Sequence, residues 1–97
     1  MSDLHQRYRY SVTLETGDAA VLHCLRALCQ HAERALSPQI GWGGTGEGAW
    51  KAQGGRFTLR FTDPSYREHF LAEARRLLSG HWTELSLSDS DPASPQR

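Results

Sequence analysis

Two histidines and two cysteines, His23, Cys24, Cys29 and His31, fall within nine residues of one another. Imidazole and thiolate are the side chains that hold zinc. Their spacing decides against it. They lie in a segment of helical periodicity, where Cys24 and His31 share a face but stand two turns, about 10 Å, apart. A tetrahedral ion needs ligands that converge on one point. His69 and Glu73, at i and i+4, offer two ligands without a third and read as a hydrogen-bonded surface pair. Cys24 and Cys29 project about 140° apart on one helix, so they cannot join in a disulfide. Both read as reduced thiols packed as small apolar residues. The chain offers no catalytic triad, no nucleophile elbow and no poised pair of carboxylates. With both thiols on the apolar arc, a Cys–His dyad is not expected either. The expectation is a protein without metal, cofactor or enzymatic activity.

Binding chemistry is better represented. Seven of the nine glycines lie between Gly41 and Gly55, with Trp42 and Trp50 among them. Gly41-Trp42-Gly43-Gly44-Thr45-Gly46 matches G-x-G-x-x-G, but a dinucleotide fingerprint needs that run after a strand and opening a helix. Here it follows a helix and leads toward a strand. A lesser role as an anion-binding nest of backbone N–H groups is compatible with the run. Trp42, with Gly43 and Gly44 after it, has few apolar neighbours and is expected to be exposed, as tryptophan is at binding hot spots. Trp50 reads as core. Trp82 is expected on an open sheet face with Arg9, Arg56 and Arg60, where a guanidinium could stack on its ring.

These residues need elements to carry them. Arg7–Glu15 alternates strictly, with Tyr8, Tyr10, Val12 and Leu14 on one face, which specifies a half-buried strand. Asp18 caps a helix over 19–36 whose apolar arc runs from Val21 to Leu36 and which Ser37-Pro38 ends. A connection of about ten residues follows, where about four to six is usual. Ala49–Gln53 then reads as a strand, Gly54-Gly55 as a tight turn and Arg56–Thr62 as the return strand. Asp63-Pro64 opens a second helix over 64–79, closed by Gly80. A last strand, Trp82–Ser88, points Thr83, Leu85 and Leu87 to the core. Residues 1–6 read as frayed, 7–88 as one α+β domain, and 89–97 as a disordered tail. The order β-α-β-β-α-β predicts a ferredoxin-like sandwich, a four-stranded antiparallel sheet with two helices on one face and the first and third strands central.

Eleven basic residues balance eleven acidic ones, which argues against a partner recruited by net charge alone. Ten of the eleven are arginine, suited to planar, bidentate contacts. The start carries no apolar leader and no stretch is long enough to span a bilayer, so a cytoplasmic location without membrane attachment is expected. RNA-recognition domains share the strand order but place aromatics on their central strands, where this chain turns out Arg, Ser and Thr. The phosphate loop of acylphosphatases has no counterpart in Glu15–Asp18. The expected function is a small binding module that acts through protein–protein contact as an adaptor, subunit or inhibitor, of the size that phages encode. A second copy of the chain is one candidate partner. The alternative is nucleic-acid or phosphate-ligand binding through the arginine-bearing sheet face and the glycine-rich loop.

Overall fold

A computed structural model describes residues 3–34 and 37–93. In chain order they form α1 (Asp3–Arg7), β1 (Tyr10–Glu15), α2 (Ala19–Ala32), a 3-10 turn (Pro38–Ile40), α3 (Glu47–Ala52), β2 (Arg56–Phe61), α4 (Pro64–Leu77) and β3 (Thr83–Ser88). The sheet is antiparallel and three-stranded, in the order β2-β1-β3. β1 presents Val12 and Leu14 to the helices, and β2 adds Phe57, Leu59 and Phe61 on the same side. Against them α2 lays Val21, Leu22, Leu25, Cys29 and Ala32, and α4 lays Phe70, Leu71 and Ala74. The Phe61 and Phe70 rings meet with centroids 5.5 Å apart. The expected caps are in place: Asp18 accepts from the N–H of Ala20, Asp63 accepts from that of Ser65, and Pro64 opens α4. Below the end of α2, the buried Glu33 carboxylate accepts from the N–H and hydroxyl of Thr62, tying that helix to the end of β2.

The four-stranded ferredoxin-like sheet is not formed, because the segment expected as its second strand is helical. In α3 the buried residue is Trp50, and its indole N–H donates to the Thr16 carbonyl at 3.0 Å. Two periodicities differ only when several apolar residues sample them, and this segment has one large anchor. Gly54 (φ 70°) and Gly55 (φ 92°) are therefore a helix-to-strand turn, not a hairpin. At Gly55 both the left-handed φ and the space exclude a side chain, since a Cβ would stand 2.7 Å from the Thr16 carbonyl oxygen. Without its expected neighbour, β2 is an edge strand. Its outer side is partly closed by the N–H of Arg60 donating to the Gly41 carbonyl at 2.8 Å.

The described residues at both ends also pack on the domain. Of the segment 1–6, residues 3–6 belong to α1, and Tyr8 beyond it is fully buried, its hydroxyl donating to the Ser37 carbonyl. Of the segment expected as a disordered tail, residues 89–93 extend the β3 side of the sheet: Asp91 N–H donates to Arg9 O and Ala93 N–H to Tyr8 O. Residues 94–97 lie outside the described residues, as do Ala35 and Leu36 of the expected first helix. The buried guanidinium of Arg67 holds this end, donating to the carbonyls of Ser11 and Ser88 and pairing with Asp89 at 2.9 Å.

Candidate functional site

The residues expected to bind a partner do not converge. Trp42 folds back onto α2. The 3-10 turn starts from Ser37 in the left-handed region (φ 59°), Gly44 turns back at φ 76°, and the Thr45 hydroxyl donates to the Trp42 carbonyl. This turn lays the indole under Arg26, whose guanidinium carbon is 4.7 Å from the ring centroid. The indole N–H donates to Gln30 Oε1 at 2.8 Å. Trp42 is thus half-buried against the core rather than projecting alone.

Trp82 is also displaced from its expected place. It packs on the core, and its indole N–H donates to the Ala74 carbonyl of α4 at 3.2 Å. A register shift between Thr13 and Leu14 is responsible. It reverses the phase of β3, so Glu84 stands opposite Leu14 on the helix side and reaches Arg75 at 2.8 Å. Bulges re-aim side chains in this way.

The arginines are separated and engaged. Arg9 precedes β1 and folds over Tyr10, 4.9 Å from its ring centroid, with a hydrogen bond to the Tyr10 hydroxyl. Arg56 and Arg60 do occupy the open sheet face, flanking Thr58, whose hydroxyl meets that of Thr13 at 3.0 Å. Arg56 is 3.5 Å from the Glu15 carboxylate. Arg60 makes a two-pronged contact with Asp91, both carboxylate oxygens at 3.2 Å, and donates from Nε to the Asp91 carbonyl at 2.8 Å. Gly43 and Gly44 line a shallow depression of about 300 Å³ beside Thr58 and Arg60, at the outer edge of β2.

Two surfaces were missed by sequence reasoning. The first is β3, a strand exposed nearly throughout. Leu87 stands opposite the fully buried Val12, yet 47% of it is exposed, and Leu85 is 43% exposed. Leu87 therefore carries the apolar layer of the core out to the sheet edge, and Leu85 stands at the register shift beside it. The second is a groove of about 720 Å³ between α2 and the Pro38–Trp42 turn. His23, Arg26, Ala27, Gln30 and His31 line it from α2 at i, i+3, i+4, i+7 and i+8, one stripe of the helix. The stripe is legible in the sequence as a polar face; what the sequence hides is the turn that makes its second wall. His23 bonds Glu47 at 2.8 Å, and this hydrogen bond holds the Glu47 carboxyl below its ordinary range.

The thiols also part company. Cys29 is buried, and burial, followed by the nearby Glu33 carboxylate, pushes its pKa up; Cys24 is exposed, not packed in the apolar arc. Among the described residues no group of three or more His, Cys, Asp or Glu could hold a metal ion, and no helix is long and apolar enough to cross a membrane. No protein-family model, curated protein or solved structure matches the chain.

Proposed function

We propose that this chain is a non-enzymatic binding module that takes a protein partner along β3, the partner's strand extending the sheet. One observation carries the reading: Leu85 and Leu87 stand 43% and 47% exposed on a strand whose outer edge has no neighbour among the described residues. An edge strand with apolar side chains is the surface on which extended segments dock, backbone hydrogen bonds giving affinity and alternate side chains specificity. The nucleic-acid alternative has less behind it on the sheet face, where Arg56 and Arg60 each meet a carboxylate.

The test is a comparison of proteins retained from the source cell by the full chain and by its Leu85→Lys/Leu87→Lys variant. A charge on each position opposes edge pairing while leaving the buried core untouched. The expected result is a partner held by the native chain and lost by the variant, with equal thermal stability. If the partner is a second copy, sedimentation equilibrium shows a dimer that the variant dissociates. Identical binding by both proteins overturns the edge as the docking surface.

A further inference from the structure

Five arginines of this protein, Arg56, Arg60, Arg67, Arg75 and Arg76, each reach a carboxylate within 3.5 Å. Arg26 does not. Its guanidinium lies on the Trp42 ring, its Nε is buried without a hydrogen-bond partner, and no ion pair reaches it among the described residues. Stacking on an indole fixes the guanidinium plane and strips part of its water. A charge so held, with no direct ion pair among the described residues and the Glu47 carboxylate only in its wider field, favours the approach of an anion.

Its surroundings are those of an anion site. The indole N–H is a donor only, so the atom of Gln30 that it meets is the oxygen, which leaves the Gln30 amide N–H₂ as a fixed donor. Arg26, Gln30 and His31 are capable donors, His23 is bonded to Glu47, and no carboxylate is among the lining residues of the groove. Of the nearby acids, Glu73 pairs with Arg76, and Glu47 is bonded to His23 at one end of the groove. Pro38 and the edge of Trp42 supply apolar walls. At about 720 Å³ the groove is far larger than a bare oxyanion and falls in the size range of small-ligand sites.

We propose that the groove between the polar stripe of α2 and the Pro38–Trp42 turn binds a phosphorylated small molecule, Arg26 and Gln30 taking the phosphate and Pro38 and Trp42 the body of the ligand. No residue of the β3 edge takes part.

The probes are inorganic phosphate, ribose 5-phosphate and adenosine 5′-monophosphate, with acetate as the carboxylate control, titrated into the ¹⁵N-labelled full chain. The readouts are the Trp42 indole N–H, assigned by its loss in Trp42→Phe, and the Arg26 Nε–H. Saturable shifts at both are expected with the organic phosphates, which bind more tightly than inorganic phosphate. Arg26→Gln weakens binding by about tenfold or more. Gln30→Glu keeps the acceptor for the indole, and with it the turn, but sets an anion against the phosphate and abolishes binding. Several results would overturn the proposal: no saturable shift up to about 10 mM probe, equal titration of the native and Arg26→Gln proteins, or equal response to acetate. With a short oligonucleotide titrated alongside, a response to it alone would also overturn the proposal, in favour of a nucleic-acid surface.

Discussion

Replacing Trp50 by phenylalanine tests the helix that takes the place of the expected second strand. The indole is 6% exposed, and its N–H is the donor to a buried Thr16 carbonyl at 3.0 Å. Phenylalanine sets its ring where the five-membered ring of the indole stood and removes two things. Loss of the donor leaves the carbonyl unsatisfied, at a cost of about 1–3 kcal/mol. The shorter side chain leaves a void of about 40 Å³ at the distal end of the indole site, worth about 1 kcal/mol at about 24 cal/mol per Å³. Together these come to about 2–4 kcal/mol, a large share of the about 5–15 kcal/mol that holds a small domain together. In a domain of this size each kcal/mol shifts Tm by about 4–8 °C, so Trp50→Phe melts about 8–32 °C below the native chain. Trp42→Phe is the internal control. Its indole bonds a solvent-exposed Gln30, and the loss is under about 1 kcal/mol. Thermal unfolding followed by circular dichroism separates the two. Equal melting of the native and Trp50→Phe proteins would refute the docking of α3 on the Thr16 carbonyl.

The glycines divide by position: Gly41→Ala drives a Cβ into the Arg60 carbonyl oxygen and destabilises by about 2 kcal/mol, whereas Gly48→Ala, in α3 with open space around it, stabilises by about 0.5 kcal/mol. Urea midpoints at unchanged slope give both, and the opposite order would contradict the packing of the Gly41 turn on β2. Cys24 should react with a disulfide reagent in the native protein and Cys29 only on unfolding, so two fast thiols would place Cys29 wrongly. Burial, then Glu33, raises the pKa of both Cys29 and Tyr8 above the ordinary 9.0 and 10.0. The folded state therefore keeps protons that the unfolded chain releases. The stability this contributes is complete below pH 9 and falls as pH rises beyond it. Denaturation midpoints at neutral and alkaline pH measure the fall, and a midpoint that rises with pH would reverse the sign.

What could be read from the sequence was whatever repeated. Val12 and Leu14 alternate with Ser11, Thr13 and Glu15, and the buried stripe of α2 recurs over several turns, so both elements and their caps were legible. Single anchors were not. Trp50 alone cannot distinguish a period of 2 from one of 3.6, and the strand assignment of 49–53 failed there. Trp82 obeys the alternation of β3 until a bulge reverses it, and a bulge leaves no mark in the residue pattern. Trp42 lacks apolar neighbours in sequence because its cover, Arg26 and Gln30, comes from the preceding helix. Arg60 looked free because its partner, Asp91, lies in a segment too polar to be assigned a place. In each case the deciding contact is distant along the chain, and composition does not encode it.

Exchanging a strand for α3 also alters how the sheet can be assembled. A hairpin would have let one pair of strands zip from its own turn. Instead Thr13 meets Thr58 across 45 residues, and Val12 meets Leu87 across a longer stretch still. Every ladder in the sheet must close a large loop before it gains anything, which slows folding relative to locally paired chains. The helices, held by local contacts, are then expected to form ahead of the sheet. During synthesis β1 emerges first of the three strands, with Val12 and Leu14 uncovered, and waits for both neighbours. That interval, rather than the finished fold, is when this chain is most vulnerable to aggregation.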